Sequence, residues 1–572
     1  MVAGARVCRV APDVTAVERT FDYTVPVDLA PGVRVGSVVR VPLHGRRVRG
    51  WVVADDVVPA VTGNLLPLVA VVSEGPPPDV VELASWVAHR WCGPVVAVLR
   101  SASPPNVVRP AVHVPAARTA APEHGTAPRR VMRVPPLHDR RAVVESLLAP
   151  DASTIVCVAD AHRARALAAS LSRTGRPVAL MHSDEPDAAR TDAWWRAAQG
   201  RCVVVGGRVA AFAPVPDLGA VVVVDDADEA LQEERVPTWH ARDVLAERAR
   251  RAGAPFTVVS PAPTVEALAA TATVDAPPPD VEITGWPRTL VVDRREEPPG
   301  ARLLTGPLAR SLREARGLAV CVLNRRGRFR LLACDACREL LRWDRAADRP
   351  AICPGCGSTR LRVLRAGVTR IREELAALLP ERRILDVDAD AGELADDVDV
   401  VVGTEAALHR HEVRRRRPAL VAYLDLDQEL LAPRYRASVQ ALWLVARGAQ
   451  LLAARPRDET MLLVQTRMPG HEVVEAVAHG RPQAVTDAET GRRGALRYPP
   501  FGALAELSGD EHALEGTVTA LGGFDVDVFG PSDGRALVRA DDPDVLAVAL
   551  SGAAPVGRAR GRLRVAVDPP RV

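Results

Sequence analysis

The chain has 572 residues, a length that predicts roughly three to five domains, and its 48% hydrophobic content against only 3% aromatic predicts aliphatic cores of Val, Leu and Ala. No charge-free apolar run reaches about 18 residues, which excludes a membrane-spanning helix, and the N-terminus lacks the apolar core of a secretion signal. The net charge of +3, from 74 basic and 71 acidic residues, points to no class of partner, but every basic residue is arginine; a G-x-x-x-x-G-K-[ST] loop, whose Lys reaches the β/γ-phosphates, is therefore excluded.

Residues 1–100 predict a β-rich module followed by a helix. ARVCRVAP alternates, and ERTFDYTVP and GVRVGSVVRVPLHGRRVRGWVVADDVV are strand runs broken by Gly and Pro. DVVELASWVAHRWCGPVVAVLRSA has helical spacing. Residues 101–130, rich in Pro and Ala without a period, predict a linker. From 131 to 285 the rhythm changes: TIVCVAD, PVALMHS, RCVVVGG, LGAVVVVDDAD and FTVVSPAP are short apolar runs, with helical patterns such as AHRARALAASLSRTG and HARDVLAERARRAG between them. Buried strands alternating with helices predict an α/β domain with a parallel sheet. Residues 286–480 repeat the pattern with LAVCVLN, RILDVDA, DVDVVVGT, ALVAYLDLD and TMLLVQT, so two tandem α/β lobes are expected. The segment 481–572, with the runs ALAELSGDE, FDVDVFGP, RALVRAD and RLRVAVDP after YPPFG, predicts a small α+β domain.

Inside the second lobe, at about 330–362, two C-x-x-C pairs, Cys334/Cys337 and Cys353/Cys356, stand 15 residues apart. Each pair presents two thiols on one turn, and the spacer suits a four-cysteine zinc ribbon. Four thiolates complete a tetrahedron and leave no open position, so the expected site is structural. Cys8, Cys92, Cys157, Cys202 and Cys321 are scattered and read as buried thiols. Metal-paired cysteines without a disulfide framework suit a reducing cytoplasm. Three arginine clusters stand out: Arg325/Arg326/Arg328/Arg330, Arg414 to Arg417, and Arg248/Arg250/Arg251. The first two are candidates for phosphate contacts, which position a nucleic acid without reading its sequence; the third reads as a solvated helix face.

Taken together, RTFDYTVP (19–26), VRVPLHGRRVRGWVV (39–53), FAPVPDLGAVVVVDDADEA (212–230), WHARDV (239–244), LNRRGRFRLLACDAC (323–337), CPGCGSTRLR (353–362), VVGTE (401–405), YLDLDQELLAPRYRAS (423–438) and RYPPFG (497–502) resemble, in order, the PriA (primosomal protein N-prime) family of replication-restart helicases, in its actinobacterial, helicase-degenerate branch. The resemblance implies an N-terminal 3′-end DNA-binding domain, two RecA-like helicase lobes, a zinc-binding insertion and a C-terminal domain. It implies forked and single-stranded DNA as ligands. The implied partners are primosome proteins, the replicative helicase or its loader, and single-stranded DNA-binding protein, with a cytoplasmic, nucleoid-associated location.

In that family the insertion holds eight cysteines for two zincs; here the outer four remain, which predicts one zinc per chain. The Phe-Asp-Tyr triplet that forms the family's pocket for the 3′ end matches Phe21, Asp22 and Tyr23, an aromatic face stacking on the terminal base and the Asp accepting from the 3′-hydroxyl. Gly45 is the candidate for close backbone approach. The family's pocket Lys falls near Leu66, and Arg46, Arg47 and Arg49 stand nearby as substitutes. Arg46, Arg47, Arg325 and Arg326 are the expected DNA-backbone contacts.

The motor motifs depart from the family. The phosphate loop is replaced by RVMRVPPLHDRRAVVESLL, without Gly or Lys. The D-E-E-H box reads Asp225-Asp226-Ala227-Asp228, a degenerate acidic box expected to be a solvated strand end. The lobe-coupling motif appears as VSPAP (259–263), and Arg447 survives from the arginine-finger motif and reads as a surface or structural residue. The expectation is a fork-recognising restart protein without catalytic residues. Its rivals are an ATP-dependent 3′–5′ helicase with an atypical nucleotide site and a zinc-ribbon protein that contacts proteins rather than DNA.

Overall fold

The computed structural model describes residues 6–14, 19–60, 64–108, 127–271, 273–297, 303–323, 329–334, 336–337, 339–344, 352–364, 368–387 and 394–569. The chain divides into two compact units, one comprising Met1–Arg133, Arg140–Ala276 and Thr490–Val572, the other Val134–Asp139 and Pro277–Glu489.

The first unit opens on an antiparallel sheet of β1 (Val7–Pro12), β2 (Phe21–Thr24), β3 (Val38–Leu43), β4 (Arg46–Asp55) and β5 (Ala70–Ser73), in the order β2-β1-β4-β3-β5. His44 and Gly45 link β3 to β4 with φ of 48° and 76°; a two-residue turn of this kind matches the twist of its strands and needs a Gly or a tolerant residue. The expected single helix after the sheet is two, Pro78–Arg90 and Val95–Ala102. Gly93-Pro94 break it, and Gly93 packs so closely on Pro237 that a Cβ would stand 2.7 Å from its nitrogen.

The same unit holds a wholly parallel sheet: β6 (Arg129–Arg133), β7 (Ser153–Val158), β8 (Val178–Met181), β9 (Val203–Gly206), β10 (Leu218–Val224), β11 (Phe256–Ser260) and β12 (Thr273–Asp275), in the order β12-β6-β11-β10-β7-β9-β8. Its central strands are buried along nearly their whole length, as parallel strands covered on both faces must be. Helices Ala161–Ser172 and Ala241–Ala252 follow β7 and β10.

The second unit carries a six-stranded parallel sheet that begins with β13 (Thr289–Asp293) and β14 (Ala319–Val322) and is then interrupted by an insertion. The insertion is an antiparallel ribbon of β15 (Phe329–Cys334), β16 (Leu340–Asp344) and β17 (Leu361–Leu364), in the order β16-β15-β17. The sheet then continues with β18 (Ile384–Val387), β19 (Val400–Gly403), β20 (Leu420–Tyr423) and β21 (Met461–Thr466), ordered β13-β21-β20-β14-β19-β18. The chain ends in the first unit with β22 (Ala503–Gly509), β23 (Asp527–Ser532), β24 (Arg535–Ala540) and β25 (Leu563–Val567), a β23-β24-β22-β25 sheet whose two helices, Glu511–Leu521 and Pro543–Arg558, complete a βαββαβ arrangement. Thr238 Oγ1 donates to the Val567 carbonyl at 2.7 Å, tying this small α+β element to the parallel sheet of its own unit.

One arginine lies where the sequence did not put it. Arg248 is not on a solvated face: it is 4% exposed and donates to the carbonyls of Ala211 (2.7 Å) and Ala213 (2.5 Å), while only Arg250 and Arg251 reach out to Glu247. Arg447, read as a surface or structural residue, is buried within the apolar helix Ala437–Leu452, in line with the structural reading. Arg248→Ala strips the donors from two enclosed carbonyls, so it should lower unfolding free energy by about 2–4 kcal/mol in chemical denaturation. Arg250→Ala, which loses an exposed pair, should cost less than about 1 kcal/mol.

Candidate functional site

The ribbon gathers the four predicted cysteines. Cys334 closes β15, Cys337 follows on the same turn, and Cys353 and Cys356 form the second turn ahead of β17. Their sulfurs all lie within 4.8 Å of one another, with Cys334···Cys356 at 3.4 Å and Cys337···Cys353 at 3.6 Å. A disulfide would need about 2.05 Å, whereas four sulfurs each about 2.3 Å from one tetrahedral ion stand about 3.8 Å apart. Backbone N–H groups of Cys337 and Ala336 point at Cys334 Sγ, and those of Cys356 and Gly355 at Cys353 Sγ, an arrangement that favours thiolate. Gly357, with φ of 70°, turns the second knuckle so that its N–H bonds back to the Cys353 carbonyl at 2.8 Å. The donor set therefore fits a soft cation with no open coordination position. Of the five other cysteines, Cys8, Cys157, Cys202 and Cys321 are buried as expected and Cys92 is partly so.

The acidic box is enclosed, which corrects the solvated strand end: Asp225, Asp226 and Asp228 are 2%, 0% and 6% exposed. Asp225, just beyond β10, takes a left-handed φ of 60°, a conformation Asp tolerates. Each of its oxygens meets a guanidinium: Oδ1 accepts from Arg140 and Oδ2 from Arg163, both at 2.5 Å. Burial pushes the Asp225 carboxyl up, but the two arginine charges outweigh it and hold it below the ordinary value.

Arg140 opens the helix Arg140–Ser146, which follows β6. Residues 134–141 read VPPLHDRR, with no glycine and no Lys. Pro135 and Pro136 are buried without an N–H to offer, and the Leu137 N–H is spent on the Gly285 carbonyl at 3.0 Å.

Asp226 is bonded to a different set. Thr264, which caps the helix Val265–Ala269 just after VSPAP, donates to its Oδ2 through Oγ1 and, at 3.3 Å, through its N–H. Arg242 donates to Thr264 Oγ1 at 2.9 Å and stands 3.6 Å from Asp226 Oδ2. Asp226 Oδ1 is buried with no hydrogen-bond partner among the described residues, and burial pushes this carboxyl up to about 6, Arg242 and Thr264 opposing.

The Phe-Asp-Tyr triplet forms edge strand β2. Alternation sends Asp22 to the face opposite Phe21 and Tyr23. Tyr23 is 3% exposed in the core and donates to the Pro42 carbonyl at 3.0 Å, so it presents no free face for stacking. Phe21 is part-exposed, with the Arg19 guanidinium 5.0 Å from its ring centre. Asp22 accepts from Arg9 through both oxygens, at 2.8 and 3.3 Å, and from the Ala60 N–H at 2.8 Å. Its carboxyl is held low first by the Arg9 bond, against burial. Gly45 faces open space, and Arg46, Arg47 and Arg49 are exposed on β4. Arg40 is paired in register with Arg49, so the hairpin face concentrates positive charge. Leu66 is 56% exposed, its carbonyl accepting from the Thr24 N–H at 3.1 Å beside β2. Of the other arginines, Arg414, Arg415 and Arg417 are exposed and Arg416 bonds the Ala395 carbonyl at 3.2 Å; Arg325, Arg326 and Arg328 lie outside the described residues, as does most of the expected linker.

Residues 9–104 match a family model described as the PriA 3′ DNA-binding domain. The replication restart protein PriA of Treponema pallidum is 31% identical over 410 residues, 63% of this chain and 62% of that protein, so less than two thirds of that relative is spanned. A probable replication restart protein PriA of Mycobacterium tuberculosis is 28% identical over 585 residues, 88% of this chain and 86% of that one. A solved structure of S. cerevisiae Dbp5 bound to RNA and ADP BeF3 covers 64% of this chain and 83% of its own at 10% identity, with a TM-score of 0.34; the sheet topologies above do not rest on it. No helix among the described residues is long and apolar enough to cross a membrane.

The geometry sets two expectations. Metal analysis of the purified chain should give one ion per chain and none in Cys353→Ser. Because Asp226 binds its proton more readily folded than unfolded, its contribution to stability should be lost as pH rises from about 4 to about 6, by order 2–3 kcal/mol. Melting temperatures of wild type and Asp226→Asn across that range should therefore diverge, the variant lacking this part of the slope.

Proposed function

We propose, from the premise that this chain belongs to the PriA replication restart family, that it recognises abandoned replication forks by structure and promotes reloading of the replicative helicase without acting as a motor. The observation that carries the second half of this reading is the pairing of Asp225 with Arg140 and Arg163. A P-loop motor uses this acidic position to address the nucleotide's magnesium and a Lys-bearing loop to cradle the phosphates. Here the carboxylate is committed to protein cations, and the loop has no glycine, no N–H at Pro135 and Pro136, and the N–H groups of Leu137 and His138 bonded to the carbonyls of Gly285 and Pro135.

The first half of the reading is supported by the matched N-terminal segment, by edge strand β2 with Phe21 and Asp22, and by the arginines of the β3–β4 hairpin, with Arg46 and Arg47 as backbone contacts. Arg325 and Arg326 are proposed to serve the same role at the entry to the ribbon. The ion held by Cys334, Cys337, Cys353 and Cys356 is zinc, one per chain, with a structural role. The proposed partners are forked and single-stranded DNA, primosome proteins, the replicative helicase or its loader, and single-stranded DNA-binding protein, on the nucleoid.

Fluorescence anisotropy with synthetic forks tests the reading. Binding should be tightest when the leading strand ends in a free 3′-hydroxyl at the junction, and should weaken steeply between about 50 and 200 mM salt because phosphate contacts dominate. Equal affinity for a fork whose 3′ end is blocked would overturn the 3′-end pocket.

A further inference from the structure

We propose that the helix Pro543–Arg558 of the C-terminal α+β element is a docking surface for a second copy of this chain, the two helices pairing antiparallel about a two-fold axis. Three observations carry it. The first is composition: the helix reads PDVLAVALSGAAPVGR, with Asp544 and Arg558 as its only charges in 16 residues. A helix that is apolar all round is normally covered on every side. One face is covered here, with Leu546, Ala549, Leu550 and Ala553 in the core. The other is not: Val545, Val548 and Val556 are 39% to 54% exposed, and Gly552 and Pro555 are exposed with them. At i, i+3, i+7 and i+11, Val545, Val548, Gly552 and Val556 form one stripe along about three turns.

The second observation is Phe524, which follows the helix Glu511–Leu521 and is also exposed. Its ring lies over Gly552, where a Cβ would stand 2.6 Å from the ring edge. The aromatic side chain fills the notch in the stripe and adds its own apolar face at the centre, where aromatic anchors contribute most to an interface. The third is the placement of charge. Asp544 lies in the first turn of the helix and Arg558 in the last, about 21 Å apart along the axis and about 40° around it. Both sit on one flank of the stripe, at opposite ends. An antiparallel partner related by a two-fold near Gly552 brings its Arg558 to Asp544 and its Asp544 to Arg558, and sets the two helix dipoles in opposition. A parallel partner would set like charges level with each other. The chain's own helix is thus an occupant whose charges complement the stripe at both ends. A few exposed side chains of this size make a patch well below the ~800 Å² per partner of a standard interface, so the pair should be weak, with a dissociation constant on the order of 10 μM.

Sedimentation velocity of the full chain between about 1 and about 100 μM tests the pairing. Wild type should move from monomer toward dimer across that range. Val548→Arg, a change at an exposed position, should stay monomeric with the melting temperature of wild type. Asp544→Arg alone and Arg558→Asp alone should each weaken the dimer about tenfold, because like charges then face each other. An equal mixture of those two variants should regain wild-type affinity, since every facing pair is again Asp against Arg, a recovery expected of a two-fold antiparallel pair. A second measurement needs no variant: amide hydrogen exchange of wild type should slow across 543–558 as the concentration rises. Wild type that stays monomeric at about 100 μM, with exchange unchanged, would overturn the pairing and leave the stripe to a different protein. A dimer that survives Val548→Arg, or that the mixture of charge variants does not restore, would overturn it by placing the contact elsewhere or in another orientation. Fork recognition stands or falls separately from each of these outcomes.

Discussion

A carboxylate taken out of water must find positive charge, and at Asp225 the chain supplies it twice over. In an open parallel sheet, ligands sit in the crevice beyond the carboxyl ends of the strands. Asp225 lies at such an end, after β10, and its two guanidiniums come from the helices that follow β6 and β7. Removing either arginine would leave a buried charge half satisfied, which is far costlier than the pair is worth as a stabiliser. The protein's own side chains thus fill an electrostatic role that, in a nucleotide-driven motor, belongs to a metal ion.

The all-arginine composition suits this role. Arginine stays charged under any protein condition and brings five donors in a fixed plane, so it can serve a buried carboxylate without giving up its proton. The same property recurs at Arg248, which serves two enclosed carbonyls, and at Arg493, which is 1% exposed and stands 3.1 Å from Glu266. In the proposed account the binding parts of the molecule remain outward-facing, on the β3–β4 hairpin and the β2 edge, while the motor's acidic residues have been absorbed into the core.

Most of the fold was legible because it is locally encoded. Continuous apolar runs marked the buried parallel strands, and the first and last of the four cysteines are 22 positions apart, so their spacing alone defined a site. Short polar strands were not legible: β6 reads RRVMR with only Val131 buried, and β12 is exposed throughout. Charge did not reveal burial either. Arg248 sits in a basic helix and Asp225 in an acidic run, and both patterns read as solvated; their partners lie tens of residues away in sequence, 62 and 85 for Asp225. The Arg9–Asp22 pair depends on strand register, which no single-strand pattern supplies.

The claim that this fold has exchanged a nucleotide for internal arginines is tested most directly by ATP hydrolysis of the full chain, with and without forked DNA. The account predicts no turnover above the buffer blank in either case, with wild type and Asp225→Ala indistinguishable. DNA-stimulated hydrolysis that disappears in Asp225→Ala would contradict it.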